Sequence, residues 1–281
     1  MSLVSTRELL DAAVVSGGAV AGFNVITLEH AEAIALGAAE AGVGVILQLS
    51  ENAIRFHRGD PWPILAGCRA VAEAASAPLA LHLDHIEDAA LVDLALAHAE
   101  AWGLGSIMVD ASRLDYAGNV AATADAARRA HGAGLWVEAE LGEIGGKDGA
   151  HAPGVRTDPD EAAAFVAATG VDGLAVAVGS SHAMRERTAG VDIELVARIA
   201  ERVPVPLVLH GSSGIGDETI RAAVAAGIRK VNVGTALNIA GTAAVRATLA
   251  EDPDAVDPRP YTAHARDAMA RTVAHFAGLL R

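Results

Sequence analysis

The chain has 281 residues, of which 52% are hydrophobic and 20% charged, so it can bury a large core, which argues against wholesale disorder. Its net charge of −14 excludes the strongly basic class of protein that binds nucleic acid by neutralising phosphates, and we expect no nucleic-acid partner. A single phosphate on a small molecule remains compatible with this charge, because backbone N–H groups at a helix N-terminus can hold one locally.

The cysteine content and the lengths of the apolar runs indicate the cellular compartment in which the protein is expected. Cys68 is the one cysteine, so an intrachain disulfide and a thiolate metal cluster are excluded, and a buried, inert thiol is expected. The first ten residues lack the apolar core of a signal peptide, and no run approaches the roughly 20 apolar residues of a membrane-spanning helix. We therefore expect a cytoplasmic protein without a membrane partner.

Short apolar runs alternate with longer Ala-rich helical patterns along the whole chain. A capping box, Ser5-Thr6-Arg7-Glu8, predicts the start of the first helix. The predicted strands cover residues 19–25, 44–49, 79–83, 106–109, 135–141, 173–178, 207–210 and 230–233. The predicted helices cover 29–41, 89–101, 119–131, 159–169, 192–201 and 218–226, and glycines at 42, 103, 132, 170 and 227 are expected to end them. Residues 252–281 predict a Pro-rich turn at 257–260 and a final helix.

This alternation predicts a parallel sheet. Eight repeats in under 300 residues, without a linker, favour a closed barrel over an open sheet. We predict an α/β fold in which residues 1–281 form one domain, a single (β/α)₈ TIM barrel with an N-terminal helix and a C-terminal helical extension. The Gly-rich segment 142–157 is the long irregular stretch of the chain and is predicted to be a functional loop.

Polar residues lie at the carboxyl end of each predicted strand, where barrel enzymes place their active sites. They are Asn24, Gln48, Ser50, Asp84, His85, Asp110, Glu138, Glu140, residues 179–182, His210 and residues 232–235. We expect these side chains to converge at one mouth of the barrel.

Three histidines at strand ends suggest a metal site. His85, His182 and His210 follow predicted strands three, six and seven, and three imidazoles with an open position are typical of catalytic zinc. Asp84 directly precedes His85, so a carboxylate could move a proton beside a metal-bound oxygen. Seven further histidines are expected to be structural: His30, His57, His98, His131, His151, His264 and His275.

Two Gly/Ser-containing segments, 208–214 and 231–235, follow predicted strands seven and eight. Small residues allow backbone N–H groups to approach an anion, and barrels commonly bind phosphate after these two strands. The pattern therefore predicts a phosphate-binding site.

The chain resembles the class II fructose-/tagatose-bisphosphate aldolases over essentially its whole length, and its shortness is closest to the tagatose-bisphosphate-type branch. The segments that carry the resemblance are 23–25 with 28–29, the Leu-His-Leu-Asp-His stretch 81–85, and 137–142, 175–182, 207–214, 231–235 and 257–259.

The resemblance implies a lyase that reversibly cleaves a ketose (bis)phosphate into dihydroxyacetone phosphate and an aldehyde, through a zinc-stabilised enediolate. Asp84 would carry the proton, and Zn²⁺ or another divalent metal would bind His85, His182 and His210. Asp110 and Glu140 match carboxylates of an alternative metal position. A monovalent cation near the phosphate, and a homodimer or homotetramer, are further family features.

The resemblance also implies the substrate contacts, with Asn232 near the enediolate, Thr235 on the phosphate and Arg259 on a second phosphate, where it could reach a neighbouring subunit. The full set is Asn24, Ser50, Ala183, Gly211, Ser212, Ser213, Asn232, Val233, Gly234, Thr235 and Arg259.

Three departures from the family pattern stand out. Ala183 occupies a position that is usually Gly, after the second zinc histidine. Lys147-Asp148 follows Gly145-Gly146, where consecutive acidic residues are usual, so Asp148 inherits the role of handling the carbon proton, with Glu143 as the alternative. Residues 51–58, with Arg185 and Arg187, predict an aldehyde pocket unlike that of the glycolytic enzymes.

Two other functions remain open at this point. A metal-dependent isomerase or epimerase of a sugar phosphate would use the same metal without carbon–carbon cleavage, although the contiguous Asp84-His85 match argues against it. A non-catalytic binding barrel is favoured by Ala183 and Lys147, and disfavoured by Asp84 and the three histidines.

Overall fold

The computed structural model describes residues 2–141, 156–180 and 190–281. Eight parallel strands close a barrel in chain order, with β8 bonded to β1, so the predicted TIM barrel is confirmed. The strands are β1 Val20–Asn24, β2 Val45–Ser50, β3 Leu79–Ile86, β4 Ser106–Val109, β5 Trp136–Glu140, β6 Gly173–Ala175, β7 Leu207–Leu209 and β8 Ile228–Val233.

The helices surround the barrel and extend it at both ends of the chain. They are α1 Thr6–Ser16, α2 Leu28–Ala41, α3 Glu51–Phe56, α4 Trp62–Ala74, α5 Ala89–Trp102, α6 Tyr116–Gly132, α7 Pro159–Thr169, α8 Ile193–Arg202, α9 Asp217–Ala226, α10 Thr235–Glu251 and α11 Pro258–Leu279. In the ranges described, none of them is long and apolar enough to cross a membrane.

The ends of α6 and α11 correct two sequence predictions. The cap expected at Gly132 is wrong, since α6 includes Gly132 and the left-handed turn comes at Gly134, with φ 77°. The Pro-rich turn expected at 257–260 instead opens α11. Asp257 is the N-cap and Pro258 the first helical residue, because proline lacks the N–H that a first helical turn leaves unbonded.

The remaining caps follow the sequence pattern. Ser5 and Glu8 form the expected capping box on α1. Gly42, Gly103 and Gly170 end their helices in the left-handed conformation that glycine adopts at little cost. Strand bounds differ from the predicted ones by a few residues, most at β3, which ends at Ile86, and at β6, which ends at Ala175.

The lower end of the barrel is filled by apolar side chains. Val20, Ile46, Ala80 and Trp136 form an interior layer that packs against Leu10 of α1. Because α1 covers this amino-terminal end, the open mouth is the one at the carboxyl ends of the strands, where the polar residues lie.

Cys68 lies in α4 and is buried, as expected. Burial raises the pKa of its thiol to about 12, so the thiolate is not populated near neutral pH. The thiol therefore has the inert character expected from the sequence.

Candidate active site

An irregularity in β3 brings two consecutive polar residues to the mouth. Neighbouring residues of a regular strand point to opposite faces. His85, however, has a positive φ of 51°, and the register with β4 shifts between Leu83 and Ile86. Asp84 and His85 consequently both line the central cavity. A left-handed backbone costs a non-glycine residue about 1–2 kcal/mol, and such strain is characteristic of functional sites.

Asp84 is a buried, ionised carboxylate. Its Oδ2 accepts a 2.9 Å hydrogen bond from Nδ2 of Asn24, and its Oδ1 lies 4.0 Å from Nε2 of His82. Burial raises the pKa of Asp84, but His85, His210 and His82 lower it by more, so the net pKa lies well below the ordinary value. Asp84 is therefore ionised near neutral pH, the form in which a carboxylate can accept a proton.

His85, Glu140 and His210 form a cluster whose candidate ligand atoms all lie within 4.8 Å of one another. The two imidazole rings meet edge to face, with centroids 4.7 Å apart. Imidazole and carboxylate are both zinc ligands, so this donor set fits a divalent metal. His182, the third histidine of the expected site, lies outside the described residues.

Asp110 fixes the ring of His85. Its Oδ2 accepts from Nδ1 of His85 at 2.9 Å, while Ser112 donates to Oδ1 through its backbone N–H at 3.2 Å and its hydroxyl at 2.6 Å. A proton held on Nδ1 leaves Nε2 of His85 as the atom that can bind a metal. In this geometry Asp110 orients His85, a candidate ligand, and the expected role of Asp110 at an alternative metal position stays a prediction.

His210 is held from below by a buried ion pair. Its Nε2 lies 2.9 Å from Oε1 of Glu138, and Nζ of Lys230 donates to Oε2 of the same carboxylate at 2.7 Å. Burial raises the pKa of Glu138, but the Lys230 charge and the His210 bond bring it down to about 2. Burial lowers the pKa of His210 to about 4, which keeps the imidazole neutral, as a metal ligand must be.

A second chain of polar contacts lies in the barrel interior and ends at His82, whose Nε2 is 4.0 Å from Oδ1 of Asp84. Nδ1 of His82 lies 2.8 Å from the Ser106 hydroxyl, which lies 2.6 Å from the hydroxyl of Thr6 in α1. Burial, and then the charge of Lys230, lower the pKa of His82 to about 3. His82 is therefore a neutral group beneath the carboxylate, a placement that the strand pattern alone does not reveal.

A cavity of about 610 Å³ opens at the mouth, a volume that suits a small ligand. It brings together nine of the residues expected at the site: Asn24, Ser50, Asp84, His85, Gly211, Ser213, Asn232, Gly234 and Thr235. Its wall also contains Glu51, Arg55 and Phe56 from the segment predicted to shape the aldehyde pocket, and residues without an expected role, among them Glu87, Arg113 and Asn238.

The loops after β7 and β8 are tied together on one side of this cavity. The Ser212 hydroxyl donates to the backbone oxygen of Asn232, and the backbone N–H of Ala236 donates to Oγ of Ser213 at 3.1 Å. Ser212 is fully buried, so its hydroxyl serves this link. The 17-residue helix α10 begins at Thr235, on the cavity wall. The positive end of a helix dipole in this place favours an anion.

The opposite wall is built from ion pairs. Glu51 accepts the backbone N–H groups of Glu87 and Asp88 at 2.7 and 3.0 Å and pairs with Arg55. Arg113 lies 3.4 Å from Glu87. Glu51 and Arg55 of this wall belong to the segment 51–58, which departs from the sequence pattern of the glycolytic enzymes.

Some expected site residues are not brought to the cavity. Arg259 is 88% exposed at the start of α11, where its guanidinium pairs with Asp257. Val233 is buried in β8. Asp148 and Ala183, like Glu143, Lys147, His151, Arg185 and Arg187, lie outside the described residues.

Comparison with known proteins identifies the family to which the chain belongs. A family model described as fructose-bisphosphate aldolase class-II matches residues 4–281. The chain belongs to this family. Class II fructose-bisphosphate aldolases are aldehyde-lyases, so the expected enzyme class is confirmed.

Solved structures of aldolases are similar to this chain over nearly its whole length. The YdjI aldolase of Escherichia coli K12 is 30% identical, with a TM-score of 0.82 over 99% of this chain and 97% of that one. A putative fructose-1,6-bisphosphate aldolase of Coccidioides immitis is 28% identical, with a TM-score of 0.85 over 98% and 95%. The fructose-bisphosphate aldolase of Campylobacter jejuni is 20% identical, with a TM-score of 0.84 over 99% and 95%, and supports the fold.

Proposed function

We propose that this class II aldolase reversibly cleaves a ketose (bis)phosphate into dihydroxyacetone phosphate and an aldehyde. The observation that carries the proposal is the position of the Asp84 carboxylate, which is bonded to Asn24 and lies beside the cluster of His85, Glu140 and His210. We further propose that the enzyme is closest to the tagatose-bisphosphate-type branch, which its length resembles, and that residues 1–281 act as one domain.

The proposed cofactor is Zn²⁺ or another divalent metal. His85 and His210 would hold it together with His182, and Glu140 is close enough to be a further or alternative ligand. When bound, the metal supplies positive charge that stabilises negative charge developing on the carbonyl oxygen of the substrate.

Asp84 moves the hydroxyl proton in the proposed cleavage. Its Oδ2 is engaged by Asn24, whereas its buried Oδ1 has no hydrogen-bond partner among the described residues. Oδ1 would take the proton of the hydroxyl on the carbon that becomes the aldehyde. As that C=O forms, the carbon–carbon bond breaks and its electron pair passes to the phosphoketone half. Asp148, or alternatively Glu143, would then donate a proton to the carbon of the phosphoketone half that received this electron pair.

The phosphate of the ketone half would lie against the loops after β7 and β8. Gly211, Ser213, Gly234 and Thr235 line the cavity there, and the start of α10 favours an anion. Asn232 would contact the reacting half, and the backbone of Ala183 and a monovalent cation would complete the site. Arg259 would serve a second phosphate from a neighbouring copy in a homodimer or homotetramer.

The aldehyde half would extend towards the wall formed by Glu51, Arg55, Glu87 and Arg113. Because this wall combines two arginines with two carboxylates, it offers both hydrogen-bond donors and acceptors to a polar chain. We therefore expect substrate preference within the family to depend on these residues.

The test is release of dihydroxyacetone phosphate, followed with a coupled assay, from fructose 1,6-bisphosphate, tagatose 1,6-bisphosphate and several ketose 1-phosphates. Each substrate is tried with the zinc-loaded enzyme, after chelator treatment, and after zinc is restored. Release that the chelator abolishes and zinc restores would support the proposal. Zinc binding with isomerised or epimerised sugar but no aldehyde would favour an isomerase or epimerase, and absence of both metal and turnover would favour a binding barrel.

A further inference from the structure

Glu138 and Lys230 form an ion pair inside the barrel. They lie on β5 and β8, strands that are not neighbours, and their side chains meet across the interior with Nζ 2.7 Å from Oε2. Both side chains are 0% exposed. Transferring two charges out of water can cost more than their attraction returns, and an apolar pair of similar volume is often as stable. Stability alone therefore does not explain this pair.

The same carboxylate contacts the candidate metal cluster. Oε1 of Glu138 lies 2.9 Å from Nε2 of His210, so one carboxylate joins an ammonium group to an imidazole. A carboxylate accepts a hydrogen bond, so Nε2 carries the proton and the lone pair stays on Nδ1. The Asn232 amide lies 3.0 Å from the same Nε2, and rotating it by 180° would present Oδ1, an acceptor, to the N–H.

We propose that Glu138 and Lys230 are positioning residues of the metal centre: Lys230 holds the Glu138 carboxylate, and Glu138 fixes the ring orientation and tautomer of His210. The inference rests on the proposed function, because it takes His210 to be a metal ligand. Partners of this kind determine which nitrogen binds and how strongly, and their loss typically lowers metal affinity about 10- to 100-fold.

Three variants separate positioning from packing: Glu138→Gln, Lys230→Met, and the double variant Glu138→Gln/Lys230→Met. Each single variant leaves one charge buried without its partner, which destabilises the fold. The double variant removes both charges with little change in volume, so its unfolding midpoint should return towards that of the wild type. It still lacks the carboxylate that accepts the His210 proton.

The measurements are zinc affinity by competition with a chromophoric chelator, the visible absorption of the Co²⁺-substituted enzyme, and the thermal unfolding midpoint. We expect Glu138→Gln and the double variant to bind zinc about 10- to 100-fold more weakly, with shifted Co²⁺ bands. Trp136→Phe is the control, because Trp136 lies on the same strand in the apolar layer below. It should lower the unfolding midpoint while zinc affinity and the Co²⁺ spectrum stay unchanged.

Three results would overturn the inference. Wild-type zinc affinity in Glu138→Gln would remove Glu138 from the metal centre. Recovery of both stability and zinc affinity in the double variant would make the pair purely structural. A wild-type enzyme that binds no zinc would overturn the proposed function and this inference with it, whereas the first two results leave the aldolase proposal intact.

Discussion

Asn24 donates a 2.9 Å hydrogen bond to Asp84 from two strands away, across the mouth of the barrel. The bond holds one carboxylate oxygen by a neutral donor, so Asp84 can gain and lose a proton at the other. Asn24, Asp84 and His85 all line the cavity. The pair thus sets the direction from which a substrate hydroxyl must approach.

Removing the donor should lower turnover without removing metal. In Asn24→Ala the carboxylate loses a charge-assisted hydrogen bond worth about 1.5–3 kcal/mol, so we expect kcat to fall about 10- to 100-fold. Zinc content by elemental analysis should stay at the wild-type level, because Asn24 is not in the ligand cluster. An unchanged kcat would show that Asp84 is held well enough by other contacts.

Replacing Asp84 itself should have the larger effect. Asp84→Asn keeps the shape and can still accept from Asn24, but it cannot take a proton. We expect turnover to fall about 10²- to 10⁴-fold, the usual contribution of a general acid–base group, with metal still bound. Full activity in this variant, measured by release of dihydroxyacetone phosphate, would exclude Asp84 as the proton carrier.

Much of this site could be predicted because parallel strands end at the same edge. Asn24, Asp84 and His210 needed only correct strand assignment to be expected in one place. It was harder to predict that Asp84 and His85 both line the cavity, because this depends on the left-handed backbone conformation of His85. A polar residue after an apolar strand does not show whether its side chain points inward.

The support beneath the site could not be predicted. Glu138 and Lys230 are 92 residues apart, and they meet only because the barrel closes and both point inward at the same height. Charged residues within otherwise apolar strands were the available signal, but strand pattern alone does not identify a partner. The Asp110–His85 bond joins the ends of the neighbouring strands β3 and β4, and the family resemblance had assigned Asp110 to an alternative metal position rather than to this contact.

Asp172 should make stability depend on pH at the closed end of the barrel. It accepts from Arg7 at 2.7 Å, His131 at 2.8 Å and the backbone N–H of Val137 at 2.9 Å. Burial raises its pKa, but these donors lower it by more, so the folded pKa lies below the ordinary value of 3.8. A depressed pKa contributes stability above the unfolded value, and this contribution is lost as pH falls through the folded one.

Asp172→Asn should therefore be less stable than the wild type at pH 7, by about 1 kcal/mol after allowing for solvent screening of partly exposed charges. The difference should shrink below pH 4 and disappear once the carboxyl is protonated in both states. Urea unfolding at several pH values measures it. A difference that stays constant down to pH 2.5 would show that the carboxylate charge contributes nothing.

Gly234 gives a test of how closely the loop after β8 must approach Asn24. A Cβ at this position would lie 2.8 Å from Oδ1 of Asn24, while the backbone φ of −126° lies outside the left-handed region that favours glycine. Gly234→Ala should therefore displace the Asn24 side chain that holds Asp84, and lower kcat by about the same factor as Asn24→Ala. Gly216→Ala is the matched control, because a Cβ there would meet open space. Equal kcat values for the two glycine variants would mean that Asn24 accommodates the methyl group without releasing Asp84; a lower value for Gly234→Ala alone would place the effect in the Asn24–Asp84 pair.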